Sequence, residues 1–249
     1  MKRSIFMALL LGQPSALQAQ YQWYREHESP LMNRQLDDVR LREAVDRFAD
    51  CSVKRNTALA ERYILVDYNL RYPAKYADKL FDSVCLENAV KMSGAVTLEM
   101  PSALMRYAFA EALVRKELRA GPLADLNQVS RLSHPSFDPS EYTGKEWKKV
   151  STAKIETAKV VRQAEVALSH FGECVARADP SASYKLLMSG PASTQETAAF
   201  RSLAGPMSGC AEKGVKFKLA RSMLRGAIAN GYYRLAKAER GPIKAGSIK

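Results

Sequence analysis

Chemistry-bearing motifs are missing from this chain. Its 249 residues contain no G-x-S-x-G elbow, phosphate-binding glycine loop, H-E-x-x-H helix or Rossmann glycine pattern. The usual sequence marks of serine hydrolases, nucleotide enzymes, zinc proteases and dinucleotide-dependent oxidoreductases are therefore absent. Histidine is scarce, at 3 residues. There is no C-x-x-C pair, and no histidine is placed as a fourth ligand beside the cysteines, so the pattern predicts no metal and no cofactor. No segment approaches the about 20 apolar residues that a bilayer-spanning helix takes. Acids are nearly missing from one end. From Lys213 to Lys249 ten Lys/Arg stand against Glu239 alone, a local balance of +9 in a chain of formal charge +12.

What is present reads as an ordinary globular composition, 47% hydrophobic and 26% charged. The first residues look like an export signal. Lys2 and Arg3 form a short positive region, Ile5 to Leu11 an apolar one, and Ala19 offers a cleavage site before Gln20. Leu17 is not the small residue usually preferred there. A signal peptide over 1–19 implies a periplasmic or secreted protein, and an oxidising compartment turns an even cysteine count into disulfides.

Two stretches align with each other. Phe48-Ala49-Asp50-Cys51 matches Phe171-Gly172-Glu173-Cys174 at an offset of 123, and the match runs on through Arg62/Lys185 to Tyr63-Ile64-Leu65 against Leu186-Leu187-Met188. A second block, offset by 119, pairs Val96–Met100 with Val215–Leu219, Leu104-Met105-Arg106 with Met223-Leu224-Arg225, and Arg115 with Arg234. Between the blocks each stretch has one more cysteine, Cys85 and Cys210. Of the three pairings that four cysteines allow, the repeat selects Cys51–Cys85 and Cys174–Cys210. A unit written twice buries a shared core by packing copy on copy.

The periodicity predicts a mainly α fold of two tandem pseudo-symmetric four-helix modules, residues 37–119 and 147–238, each with one short strand and one internal disulfide. A helix from Asp37 carries Leu41, Val45 and Phe48 toward Cys51, and a longer one from Trp147 ends near Gly172. Asn56-Thr57 and Asp179-Pro180 look like helix restarts. Ser193 and Glu196 are spaced as a capping box, with Gly205-Pro206 as the stop. Alternation at Val96, Leu98 and Met100, and at Val215, Phe217 and Leu219, predicts two strands. The last helix of each module shows one wide apolar stripe, at 104, 105, 108, 109, 112 and 113 and at 223, 224, 227, 228, 231 and 232. Residues 20–36 read as an N-terminal arm, 120–146 as a proline-punctuated inter-repeat loop, and 239–249 as a basic flexible tail.

Cysteine-stapled helical modules of this kind resemble secreted or periplasmic proteins of Gram-negative bacteria with two such repeats. The likeness rests on the F-A-D-C at Phe48 and the F-G-E-C at Phe171 with their partner cysteines. It brings no activity or site with it.

The functional candidates are basic. Lys216 and Lys218 project from one face of the second expected strand, with Arg221 and Arg225 following and Arg106 as the counterpart of Arg225. This pattern predicts a non-enzymatic exported scaffold or binding protein that docks an anionic envelope component or an acidic partner through its basic C-terminal face. Nucleic acid is not expected, because no aromatic platform or recognition motif accompanies the charges. No catalytic residue is assigned. The alternative is a hydrolase using the inter-repeat loop, where His134 has Ser133, Ser136 and Asp138 as neighbours, or a structural protein that oligomerises. An arginine conserved between copies also has a simpler use, as a donor to a helix end or to an acid such as Asp50 or Glu173.

Overall fold

The computed structural model describes residues 39–65, 79–93, 102–211 and 220–240. Their regular structure is helical: α1 (Val39–Arg55), α2 (Thr57–Leu65), α3 (Ser83–Ser93), α4 (Ser102–Glu117), α5 (Thr152–Ala178), α6 (Pro180–Met188), α7 (Thr194–Ser202), α8 (Ala204–Cys210) and α9 (Arg221–Glu239), with 3₁₀ turns at Pro139–Tyr142 and Lys145–Trp147. The signal segment 1–19, the arm 20–36, both expected strands and residues 241–249 of the tail lie outside the described residues. Among the described residues there is no strand, and no helix is long and apolar enough to cross a membrane.

Local chemistry sets the helix boundaries. Asp179 accepts a hydrogen bond from the Ala182 N–H at 2.8 Å, and Pro180 opens α6 where its missing N–H has no partner to lose. Ser193 Oγ accepts from the Glu196 N–H at 3.0 Å at the head of α7. The Asn56 carbonyl accepts the first bond of α2, from Ala60 N–H. Both disulfides are formed: Cys51–Cys85 fixes α1 to α3 and Cys174–Cys210 fixes α5 to α8, with Cα atoms 5.5 and 5.7 Å apart.

Two details differ from the sequence reading. Gly205-Pro206 does not simply end a helix. The chain turns at Leu203 and restarts as α8, with Pro206 in a first turn whose N–H groups lack intrahelical acceptors anyway. More consequentially, α9 is not a one-sided stripe. Every residue from Arg225 to Ala236 is buried, Asn230, Arg225 and Arg234 included. It is the central helix, enclosed by α4, α5 and α6.

That enclosure depends on small residues. A Cβ on Gly172 would overlap the Ala227 carbonyl, and one on Gly231 would lie 2.5 Å from the Gly172 carbonyl carbon, so α5 and α9 cross backbone to backbone. The sequence counterparts of these two glycines, Ala49 and Ala112, are buried as well. On the other side of α9, Gly226 lies against the Tyr107 side chain of α4. At the offset of 119, Tyr107 and Gly226 are counterparts.

The segment between α4 and α5 is pinned down along its length. Leu126 and Tyr142 are buried. Arg177 donates to the carbonyls of Leu126, Val129 (2.9 Å) and Ser130 (2.8 Å), Arg162 to Ser136 (3.0 Å) and Arg234 to Ser133. The Leu123 N–H donates to the Tyr232 hydroxyl at 3.0 Å.

Candidate functional site

The helical spacing of α1 produces two faces. Ala44, Phe48, Ala49 and Val53 enter the core. Leu41 and Val45, one turn apart, turn instead toward a partly open cavity of about 60 Å³. Opposite them stand Leu104 and Ala108 of α4, again one turn apart, with Tyr107. Pro191, in the connection before α7, and Ser222 of α9 complete the wall. The walls are mostly apolar, and four ionisable groups interrupt them: Arg42, Asp46, Glu111 and Arg225. The cavity thus lies where the first stretch meets the second.

Those four groups belong to one chain of charges. Arg42 of α1 grips Glu196 of α7 with both terminal nitrogens, NH1 reaching Oε2 at 3.0 Å. Glu196 is fully buried. Arg225 of α9 has five N–H donors and all five are used. Nε donates to Glu111 Oε2 at 2.6 Å, NH1 to Ser189 Oγ at 3.1 Å and Glu196 Oε1 at 3.2 Å, and NH2 to the carbonyls of Leu187 and Ser189. Arg115 then holds Asp46 (2.6 Å) and Asp50 (2.7 Å) through NH2, with Glu111 at 3.6 Å from NH1. Four carboxylates thus face three guanidiniums among the described residues.

The protonation equilibria follow from burial and charge. Burial of Asp46 outweighs the pull of Arg115; Glu111 and Asp50 reinforce it, and the carboxyl is pushed up to about 6. Burial would do the same to Glu196, but the hydrogen bonds and charge of Arg42, with help from Arg225, hold it below the ordinary carboxylate value.

Arg225, expected on a basic surface, is therefore an interior residue, 1% exposed with no donor left for an anion. Arg106 lies elsewhere, over the Tyr63 ring at 4.3 Å and donating to the Tyr63 carbonyl at 3.1 Å. Arg221 is exposed, 5.9 Å from the Phe200 ring centroid. Lys216 and Lys218 lie outside the described residues. Lys237 spans Glu61 (2.5 Å) and Glu117 (2.7 Å), tying α9 to α2 and α4. Arg115 does meet Asp50.

His134 finds different partners from its loop neighbours. Its Nε2 lies 2.6 Å from Glu173 Oε2 and its Nδ1 2.9 Å from Ser169 Oγ, while its ring stacks on His170 at 3.7 Å. Burial, then the charge of His170, lowers the pKa of His134 against the pull of Glu173. Burial raises Glu173, but hydrogen bonds from Arg177, the Leu132 N–H and His134 carry it below its ordinary value. Glu173 therefore accepts from Nε2–H, and Nδ1 accepts from the Ser169 hydroxyl. A Ser–His–carboxylate chain of this polarity can activate a nucleophile. Ser169, however, is 7% exposed in the interior of a 27-residue helix whose N–H groups are taken by helical bonds. The arrangement clasps the loop to α5. Asp138 caps the turn at Ser140, and Ser133 and Ser136 offer their carbonyls to arginines.

Sequence reasoning missed Arg42, Asp46 and Glu111, and read Glu196 only as a cap. A signal existed: Arg42/Asp46 and Glu111/Arg115 are opposite charges one helical turn apart on helices with apolar faces. Among the described residues no group of three or more His, Cys, Asp or Glu is disposed to hold a metal. No protein-family model matches the chain, and neither a curated protein nor a solved structure is significantly similar to it.

Proposed function

We propose that this protein is an exported, non-enzymatic helical binding protein, built from two copies of one segment, with its ligand held in the cavity between them. The observation that carries this reading is the cavity: a concave, mostly apolar surface with a few convergent charged groups is the usual form of a ligand site, and here each copy supplies part of the wall.

Support for duplication comes from counterpart residues in counterpart places. Tyr107 touches its own counterpart Gly226, as residues beside a two-fold axis do. Arg106 and Arg225 each donate to a carbonyl near the end of the second helix of their own copy, Tyr63 and Leu187. Each copy also closes its own disulfide. Export is supported by those disulfides, by the N-terminal pattern, and by the resemblance to secreted or periplasmic proteins of Gram-negative bacteria.

The test is a thermal-shift screen of small amphiphiles against the wild type and Val45→Phe, which fills the cavity from α1. Compounds that raise the melting temperature of the wild type and not of the variant uphold the reading. A screen in which every hit acts equally on both overturns it.

A second reading keeps the basic C-terminal end as a docking face for an anionic envelope component. The balance of +9 from Lys213 to Lys249 and the exposure of Arg221 favour it. Replacing Lys216, Lys218 and Arg221 together by Glu would then abolish retention on anionic envelope fractions at low salt; unchanged retention would remove this reading.

A further inference from the structure

Resting on the cavity as the ligand site, we infer that it selects a straight-chain alkylammonium group: methylenes lie along Leu41, Val45, Leu104 and Ala108, and the ammonium head reaches Asp46 and Glu111.

Three observations lead there. The first is size. A cavity of about 150 Å³ is what a benzene ring occupies in a protein interior; at about 60 Å³ this one has no room for a ring, but it is partly open, so a slim chain enters with its far end outside. The second is donor placement. Arg225 has no N–H left for an anionic head, Arg42 is turned bidentate onto Glu196, and Arg115, whose Nε and NH1 have no hydrogen-bond partner, is not among the residues that line the cavity. The third is the acid excess. Asp46 and Asp50 share one nitrogen of Arg115, while Glu111 is bonded to Arg225 Nε and lies 3.6 Å from Arg115, so four carboxylates draw on three guanidiniums. These pairs engage Asp46 Oδ1 and Glu111 Oε2 and leave Asp46 Oδ2 and Glu111 Oε1 as spare acceptors among the described residues. An ammonium, a compact charge with three donors, supplies what the network lacks: one more positive charge and hydrogen bonds for two oxygens. Both carboxylates line the cavity and are partly exposed, 22% for Asp46 and 13% for Glu111.

The charged groups acting on Asp46 are Arg115, Glu111, Asp50 and Arg225. Burial, reinforced by Glu111 and Asp50, raises its pKa against the pull of Arg115, and this gives the site a pH signature. Protonation below about 6 removes half of the acid pair, so affinity for the cation falls in that range.

The same chemistry can be presented by a free alkylamine or by a lysine side chain of a peptide. The experiment is isothermal titration at pH 7.5 with n-hexylammonium, n-hexanol, n-hexanoate and the peptide acetyl-Ala-Lys-Ala-amide, each against the wild type, Asp46→Asn and Val45→Phe. Hexylammonium is expected to bind at least 10-fold more tightly than hexanol or hexanoate, to lose at least 5-fold in Asp46→Asn, and to lose all binding in Val45→Phe. Hexanol should be indifferent to Asp46→Asn. Peptide binding with the same dependence on Asp46 upholds the inference and assigns the amine to a lysine side chain; hexylammonium binding without it upholds the inference and assigns a free amine. Hexanol or hexanoate binding as tightly as the cation, with Val45→Phe still blocking, overturns the ligand class and leaves the cavity reading intact. Binding by none of the probes, or binding that Val45→Phe leaves unchanged, overturns both. Asp46→Asn removes a charge that burial disfavours, so a melting temperature at or above that of the wild type separates lost binding from lost folding.

Discussion

Arg225 Nε and Glu111 Oε2 meet at 2.6 Å, joining the last helix of the first stretch to the last helix of the second. The contact is deeply buried on the arginine side, at 1% exposure, and every other donor of that guanidinium is also engaged. With Arg42–Glu196 and the bridges of Lys237 to Glu61 and Glu117, it is one of the contacts through which the two halves share their charges.

Breaking one side of such a network is costly because the remaining charges stay buried. Arg225→Met is expected to destabilise the fold by about 3–5 kcal/mol, since it strips Glu196 and Glu111 of a partner together. Arg221→Met, at an exposed site four residues earlier, should change stability by no more than about 0.5 kcal/mol. Urea titrations of the two variants check the contrast.

The backbone crossing of α5 and α9 gives a second expectation. Gly172→Ala places a methyl on the Ala227 carbonyl, and neither helix backbone can yield without moving the core. A loss of about 3 kcal/mol or failure to fold is expected. Gly209→Ala, in α8 with nothing within 4 Å of the new methyl, should instead gain roughly 0.5–1 kcal/mol by favouring the helix. Thermal melts of the purified variants decide both.

This crossing also shows what the sequence could and could not reveal. The disulfide pairing was legible, because cysteines repeated at nearly one spacing, 34 and 36 residues apart, point to a bridge closed within each stretch. The helices at Asp179-Pro180 and Ser193/Glu196 were legible, because caps are local chemistry. The burial of α9 on all sides was not, because the tyrosines and arginines that interrupt its apolar pattern find partners far along the chain: Glu117 for Tyr233 (3.0 Å), Glu111 for Arg225, Ser133 for Arg234. The cavity was hidden for a similar reason. Leu41 and Val45 looked like core positions, and only the tertiary placement of α4 and Pro191 leaves them lining a space.

A pH dependence follows from His134 and Asp46, with opposite signs. The folded chain keeps His134 neutral below its ordinary value of 6.5, so the unfolded chain binds the proton first. Stability from the clasp is present above about pH 6.5 and lost as pH falls through the lowered value. Asp46 binds its proton at about 6 when folded and 3.8 when unfolded, so its contribution is complete below pH 3.8 and is lost as pH rises through about 6. Asp46→Asn is therefore expected to raise stability at pH 8 by up to about 3 kcal/mol, and His134→Gln to flatten the decline on the acid side of 6.5. Denaturant midpoints measured from pH 4 to 8 read both slopes.

Ala192 sits at φ 57°, a left-handed conformation that a side chain disfavours. Its N–H is held there by Glu196 Oε2 at 3.0 Å, beside Pro191 in the cavity wall. Ala192→Gly should relieve the strain and add about 1 kcal/mol of stability. Calorimetric melting of the variant checks it.

The cavity between the halves is tested most directly by a methyl-detected NMR titration of the protein with n-hexylammonium. Saturable shifts concentrated on the methyls of Leu41, Val45, Leu104 and Ala108, absent with n-hexanoate, are the predicted result. Shifts that spread over the outer surface, or that never saturate, would contradict it.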